Sequence, residues 1–339
     1  IMTLLVAVEN SSMDEQVTFT ETGVRNVAAD SSNINSKVGE VMTMQDCLHA
    51  LMIISANDAA AQIAEHVGGT EQNFIDMMNQ RAAEIGCTNT HFTNSSGLPD
   101  ENHYSSAKDM ALIFREGLKN KDFRSVLGDA DYTIQPTNMT SDKRVMHTHH
   151  PMFAPESDIY YPGCIGGKTG FTNLAAHTLV TAVEQNGTTY IAVVMHGVEL
   201  STCCLDSKAL FDYGFGNFTK TAVDGGSVIL PKGMDVNALT TKSESSNGKI
   251  ETVYYAGDHQ VGTSTVDEMA ATATPTPETA ASETTGDTLD QSGESDNNEI
   301  SGTSSSEVSQ NSKSTRDTQS TTTGKVSETK GVPALRKIL

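Results

Sequence analysis

No Phe, Tyr or Trp follows Tyr255 in this chain of 339 residues. From Val261 to Lys330, 29 of 70 residues are Ser or Thr, and Pro, Glu, Asp, Gly and Asn fill much of the rest. A stretch so poor in apolar side chains cannot bury enough surface to offset the entropy lost on folding. Residues 261–339 are therefore expected to be a disordered tail, and the run Ala271 to Pro277, alternating Thr and Pro at its end, has the composition of a stiff spacer. Folding is confined to roughly the first 260 residues, room for one substantial core and a small appendage.

Within that part the hydrophobic pattern is first helical. Thr43 and Asp46 have the spacing of a capping box, and Met44, Cys47, Leu48, Leu51 and Met52 follow as one apolar stripe. Ser55-Ala56-Asn57-Asp58 interrupts it with residues that favour caps and turns. A second helix resumes through Ala60, Ile63, Ala64 and Val67 and stops at Gly68-Gly69. A third opens at Thr70 and ends at Gly86, and a fourth opens at Ser106 with Asp109 three residues on. Strands come later: 178–183 and 189–195 flank Asn186-Gly187, a strong hairpin signal. Leu200 to Tyr213 then reads as helix, and residues 219 to about 260 read as a few strands. Helices, then an antiparallel hairpin, then a closing helix describe an α+β domain over 1–218. A short β-rich appendage is expected over 219–260.

The charge balance, 22 Lys+Arg against 43 Asp+Glu for a net −21, argues against nucleic-acid binding, which needs clustered cations. Five cysteines (Cys47, Cys87, Cys164, Cys203, Cys204) are odd in number and contain no C-x-x-C pair, so they read as buried thiols rather than a framework. The apolar opening Ile1 to Val8 is too short to span a membrane and has no basic leader.

Two short motifs carry chemistry. Ser55-Ala56-Asn57 stands at the helix break, and Gly166-Gly167-Lys168-Thr169-Gly170-Phe171-Thr172 precedes the hairpin. In this order and spacing they resemble two of the three signatures of the penicillin-binding and serine β-lactamase superfamily. The surrounding runs Leu51 to Ala60, Ala64 to Gly69, Asn94 to Asp100 and His103 to Ala111 narrow the resemblance to the D-alanyl-D-alanine carboxypeptidases, over roughly residues 1 to 218. The resemblance implies a helical subdomain beside an antiparallel sheet, of β-lactamase/transpeptidase-like type and incomplete at its N-terminus. It implies a serine peptidase that removes terminal D-alanine from peptidoglycan stem peptides and is acylated by β-lactams, with no metal or cofactor. The location it implies is the envelope of a bacterium, taken here as Gram-positive, outside the cytoplasm. Any membrane attachment would lie beyond Leu339.

Acyl transfer from a peptide with a free carboxylate needs a nucleophile, a base, a proton path, an oxyanion hole and a cation. Lys168 suits the last task, as a point charge on a strand edge. Thr169 and Thr172 can add hydroxyl donors, and Gly170 lets a substrate backbone lie along the strand. The resemblance assigns the Phe171 N–H to the oxyanion hole. Ser55 can relay a proton to the leaving amine, and the Asn57 amide can hold substrate and catalytic lysine. The family's nucleophile is the Ser of an S-x-x-K motif followed by Ile-Met-Thr, and here Ile1-Met2-Thr3 opens the chain. Nucleophile and base are thus expected just before Ile1, and this polypeptide is expected not to be acylated.

Two rival readings are separable. A class A β-lactamase would recruit a Glu for deacylation, commonly in E-x-x-L-N, and no such stretch is present; Glu156 is followed by Ser-Asp-Ile. A wall-binding module without catalysis would lack the upstream Ser-x-x-Lys. His147-Thr148-His149-His150 could hold a metal, but reads better as a polar loop near the cleft, since no carboxylate or cysteine is placed to complete the ligands.

Overall fold

The computed structural model describes residues 1–25 and 31–268. The chain opens with α1 (Met2–Asn10), buried along almost its whole length, as its run of Leu, Val and Ala requires. A two-stranded ribbon of β1 (Gln16–Thr18) and, across α2 (Glu21–Arg25), β2 (Val41–Thr43) leads into the main helical layer. That layer contains α3 (Met44–Ile53), α4 (Asn57–Gly68), α5 (Glu71–Ile85), α6 (Ala107–Gly117) and α7 (Lys121–Leu127). The predicted caps are formed: Thr43 and Asp46 make a capping box. Thr70 accepts from the Asn73 N–H and Ser106 from the Asp109 N–H. Helix α7 and the hairpin of β3 (Asp131–Ile134) with β4 (Arg144–His147) are additions that the sequence pattern did not single out. His49 of α3 anchors that hairpin, stacking on Tyr132 at 3.8 Å and hydrogen-bonding Asp129 at 2.9 Å.

The second layer is a three-stranded antiparallel sheet in chain order, β5 (Cys164–Thr172), β6 (Ala176–Gln185) and β7 (Thr188–Gly197). Asn186 and Gly187 join β6 to β7, both at positive φ (52° and 71°), the twist that a tight hairpin needs. Alternation along β6 sorts its side chains: Val180 and Ala182 enter the large core with α1 and the helices, while Leu179 and Val183 enter a second core under α8 (Leu200–Asn217). The α+β architecture is as expected.

One expected boundary needs correction. The β-rich part is a five-stranded antiparallel sheet of β8 (Phe218–Val223), β9 (Gly226–Pro231), β10 (Thr240–Ser246), β11 (Lys249–Ala256) and β12 (His259–Asp267), in spatial order β10-β11-β12-β9-β8. It starts at 218 and runs seven residues past the expected limit of 260. Composition had assigned Val261 to the tail, but strand pairing tolerates polar residues. Val261, Thr263 and Thr265 are β-formers, and β12 pairs with both β11 and β9. The rest of the expected tail, from residue 269, lies outside the described residues.

Candidate active site

The site is built at the break between α3 and α4. Helix α3 ends at Ile53, and the Ala56 N–H turns back to the Ala50 carbonyl at 3.1 Å. That reversal requires Ser55 to adopt a left-handed backbone, φ 59°, a conformation costing a non-glycine residue about 1–2 kcal/mol. The strained turn throws the Ser55 hydroxyl away from the helix stack and toward β5.

Both the backbone N–H and the side-chain amide of Asn57 donate to the Ser32 carbonyl, at 2.8 and 3.0 Å. The buried Asp58 carboxylate accepts from the Ile34 N–H, the Ser36 N–H and the Ser36 hydroxyl. Arg144 grips the same segment from β4, donating to the Ile34 carbonyl and to buried Glu40 at 2.9 Å each. Ser32, Asp58 and Arg144 were not singled out from the sequence. Their role is visible only once long-range contacts are formed, and a polar residue near a helix start carries no mark of it.

From the other side comes Lys168 on β5, the edge strand of its sheet. Its ammonium donates to Ser55 Oγ at 2.5 Å and to the Thr169 carbonyl at 2.8 Å. Burial lowers its pKa from 10.5 to about 8, so the lysine is charged at neutral pH yet sparsely solvated. An ammonium has three protons, and two are committed, so one is free to meet an anion. The nitrogen of Ile1 is buried close enough to Lys168 for positive charges at the two to oppose each other. The first turn of α1 is thus near Lys168. Thr3 fastens that turn to the 94–100 loop through the Ser95 carbonyl at 2.6 Å.

The other motif residues take mixed places. Thr169 contributes its carbonyl to Lys168. A methyl added at Gly170 would sit 2.5 Å from Thr178 Oγ1, so the glycine leaves room for that side chain within the sheet. The Thr172 hydroxyl accepts from the Ala175 N–H at 2.9 Å, shaping the β5–β6 turn. Phe171 is 62% exposed, with its ring 4.5 Å from that of His177. The three histidines expected in a polar loop separate: His147 pairs with Asp131 at 2.7 Å, His149 is exposed and His150 is 3% exposed.

Residues 1–198 match the family of D-alanyl-D-alanine carboxypeptidase. The chain belongs to that family. Among its curated relatives, the D-alanyl-D-alanine carboxypeptidase DacF of Bacillus subtilis is 34% identical over 224 residues, 64% of this chain and 55% of that protein. DacB2 of Mycobacterium tuberculosis is 32% identical over 223 residues, 63% of this chain and 72% of the relative. The Streptomyces K15 DD-transpeptidase structure superposes with a TM-score of 0.58 at 27% identity, covering 63% of this chain and 86% of the other. The Mycobacterium tuberculosis D-alanyl-D-alanine carboxypeptidase structure gives 0.57 at 29% identity, covering 67% and 83%. The residues matched to the family include the helical layer and the β5–β7 sheet, and the transpeptidase-like fold of the solved relatives is the fold of this chain. The sheet of β8–β12 lies beyond the residues matched to the family.

Proposed function

We propose that this chain supplies the substrate-binding walls of a serine-type D-Ala-D-Ala carboxypeptidase, which removes the terminal D-alanine of peptidoglycan stem peptides through an acyl-enzyme. The observation that carries the reading is the hydrogen bond from Lys168 Nζ to Ser55 Oγ, which joins two motifs 113 residues apart in one cleft. In this reading the free proton of Lys168 receives the substrate's terminal carboxylate. The substrate backbone adds to the edge of β5, with Gly170 and Thr172 alongside, and the Phe171 N–H faces the developing oxyanion. Ser55, polarised by the ammonium, passes a proton to the departing D-alanine amine. Asn57, held by Ser32, leaves its amide oxygen free to fix a neighbouring amine or the substrate amide.

None of the described residues provides a nucleophilic serine paired with a lysine three residues on within this cleft. The reading requires a nucleophilic serine and an activating lysine, which the family carries in a Ser-x-x-Lys. The same geometry suits penicillins, whose carboxylate and strained carbonyl mimic the substrate. The substrate places the reaction in the cell envelope, outside the cytoplasm. Among the described residues no helix is long and apolar enough to cross a membrane.

Labelling with a fluorescent penicillin tests the reading. A polypeptide extended to carry the family's Ser-x-x-Lys should form a stable covalent adduct, and residues 1–339, whose described part places no such pair in this cleft, should form none. An adduct on residues 1–339, or an extended protein that hydrolyses nitrocefin rapidly instead of being trapped, would refute it.

A further inference from the structure

His150 is the buried histidine of the 147–150 cluster. It is 3% exposed, and neither ring nitrogen has a hydrogen-bond partner among the described residues. A glycine makes its place. A methyl group on Gly167 would lie 2.7 Å from His150 Nε2 and 2.2 Å from the Val180 carbonyl oxygen. The β5–β6 register pairs Lys168 with Val180 and Gly167 with Thr181. Successive residues face opposite sides of a sheet, so Lys168 shares the face of the large core, and Gly167 that of the second core, where Met152 also packs. The imidazole is thus pressed against the back of the strand whose front carries the lysine. In the same layer the Thr181 hydroxyl donates to the Gly166 carbonyl at 3.3 Å.

A buried donor and acceptor without partners are costly, and native interiors meet such groups with ordered water. We propose that His150 is a positioning residue for Lys168: its imidazole holds an ordered water behind Gly167, and this polar plug fixes the course of β5 so that the lysine meets Ser55. Burial, reinforced by the charge of Lys168, lowers the imidazole pKa to about 4, so the ring does not add a competing cation near neutral pH. The functional consequence rests on the carboxylate reading of Lys168 given above.

Gln and Met have nearly the same shape and differ in hydrogen bonding, so they separate a polar role from simple filling. In the full chain, H150Q should leave the NMR signal of the Lys168 ammonium where it is in the wild type. H150M should shift that signal and weaken binding of a peptide ending in a D-Ala-D-Ala carboxylate by about fivefold or more. Equal behaviour of the two variants, both like the wild type or both unlike it, overturns the proposal. The wild-type chain gives a check that depends on no variant's folding: the nitrogen-15 shifts of the His150 ring should show its unprotonated nitrogen accepting a hydrogen bond. The shift of an unbonded imidazole nitrogen would overturn it. If the wild type binds the peptide carboxylate and its carboxamide equally, the carboxylate reading fails, while the Lys168 signal still decides the role of His150.

Discussion

Ser55 shows how a single residue combines local cost with chemistry. Its left-handed backbone is one that glycine adopts freely and alanine does not. Ser55→Gly and Ser55→Ala both remove the hydroxyl that accepts from Lys168, so their difference isolates backbone strain. Ser55→Gly should be the more stable of the two by about 1 kcal/mol in urea unfolding, and neither should relay a proton. Equal stabilities would mean that the turn imposes no strain on a β-carbon. Ser55, Asn57 and Lys168 were all legible in the sequence because each sits in a motif at a punctuation point, a helix break or a strand edge. The contacts of Ser32, Asp58 and His150 were not, although Asp58 was named in the helix break and His150 in its histidine loop. Their importance comes from contacts between segments far apart along the chain, and no local pattern encodes those.

Among the elements, the segment from 31 to 41 is the most dependent on others. It has no regular structure of its own until β2, and it is held by Asp58 at the start of α4 and by Arg144 on β4. Removing a buried carboxylate that accepts several N–H bonds leaves those donors unpaired. Asp58→Ala should therefore cost about 2–4 kcal/mol of stability and raise hydrogen exchange at Ile34 and Ser36 first. Unchanged exchange at those two amides would show that Arg144 and Glu40 suffice. Helices α3 to α6, helix α8 and the β6–β7 hairpin were readable from periodicity, caps and turn residues. Helix α7 and the β3–β4 hairpin were not, since each is too short to show a period and is fixed by packing, His49 on Tyr132 being the clearest instance. The strand β12 escaped because composition measures apolar content, whereas a strand next to two others is held by backbone pairing.

For the molecule as a whole, the cleft joins the helical layer and the sheet through a buried positive charge, and stability and function should respond to it oppositely. Lys168 titrates at about 8 when folded, against about 10.4 for a solvated lysine. Between those values the unfolded chain binds the proton and the folded chain does not, so this group's contribution to stability rises with pH across that window. Affinity for an anionic ligand falls over the same range as the ammonium is lost. Urea unfolding from pH 7 to 10, with Lys168→Met as the comparison, should show the rise in the wild type and a smaller one in the variant. The central claim is that Lys168, held on Ser55, binds a terminal carboxylate. It is tested most directly by titrating the chain at pH 7 with a peptide ending in a D-Ala-D-Ala carboxylate and with the same peptide as its carboxamide. Binding about tenfold or more tighter for the carboxylate, with the preference lost in Lys168→Met, is the predicted result; equal affinity for the two peptides would contradict it.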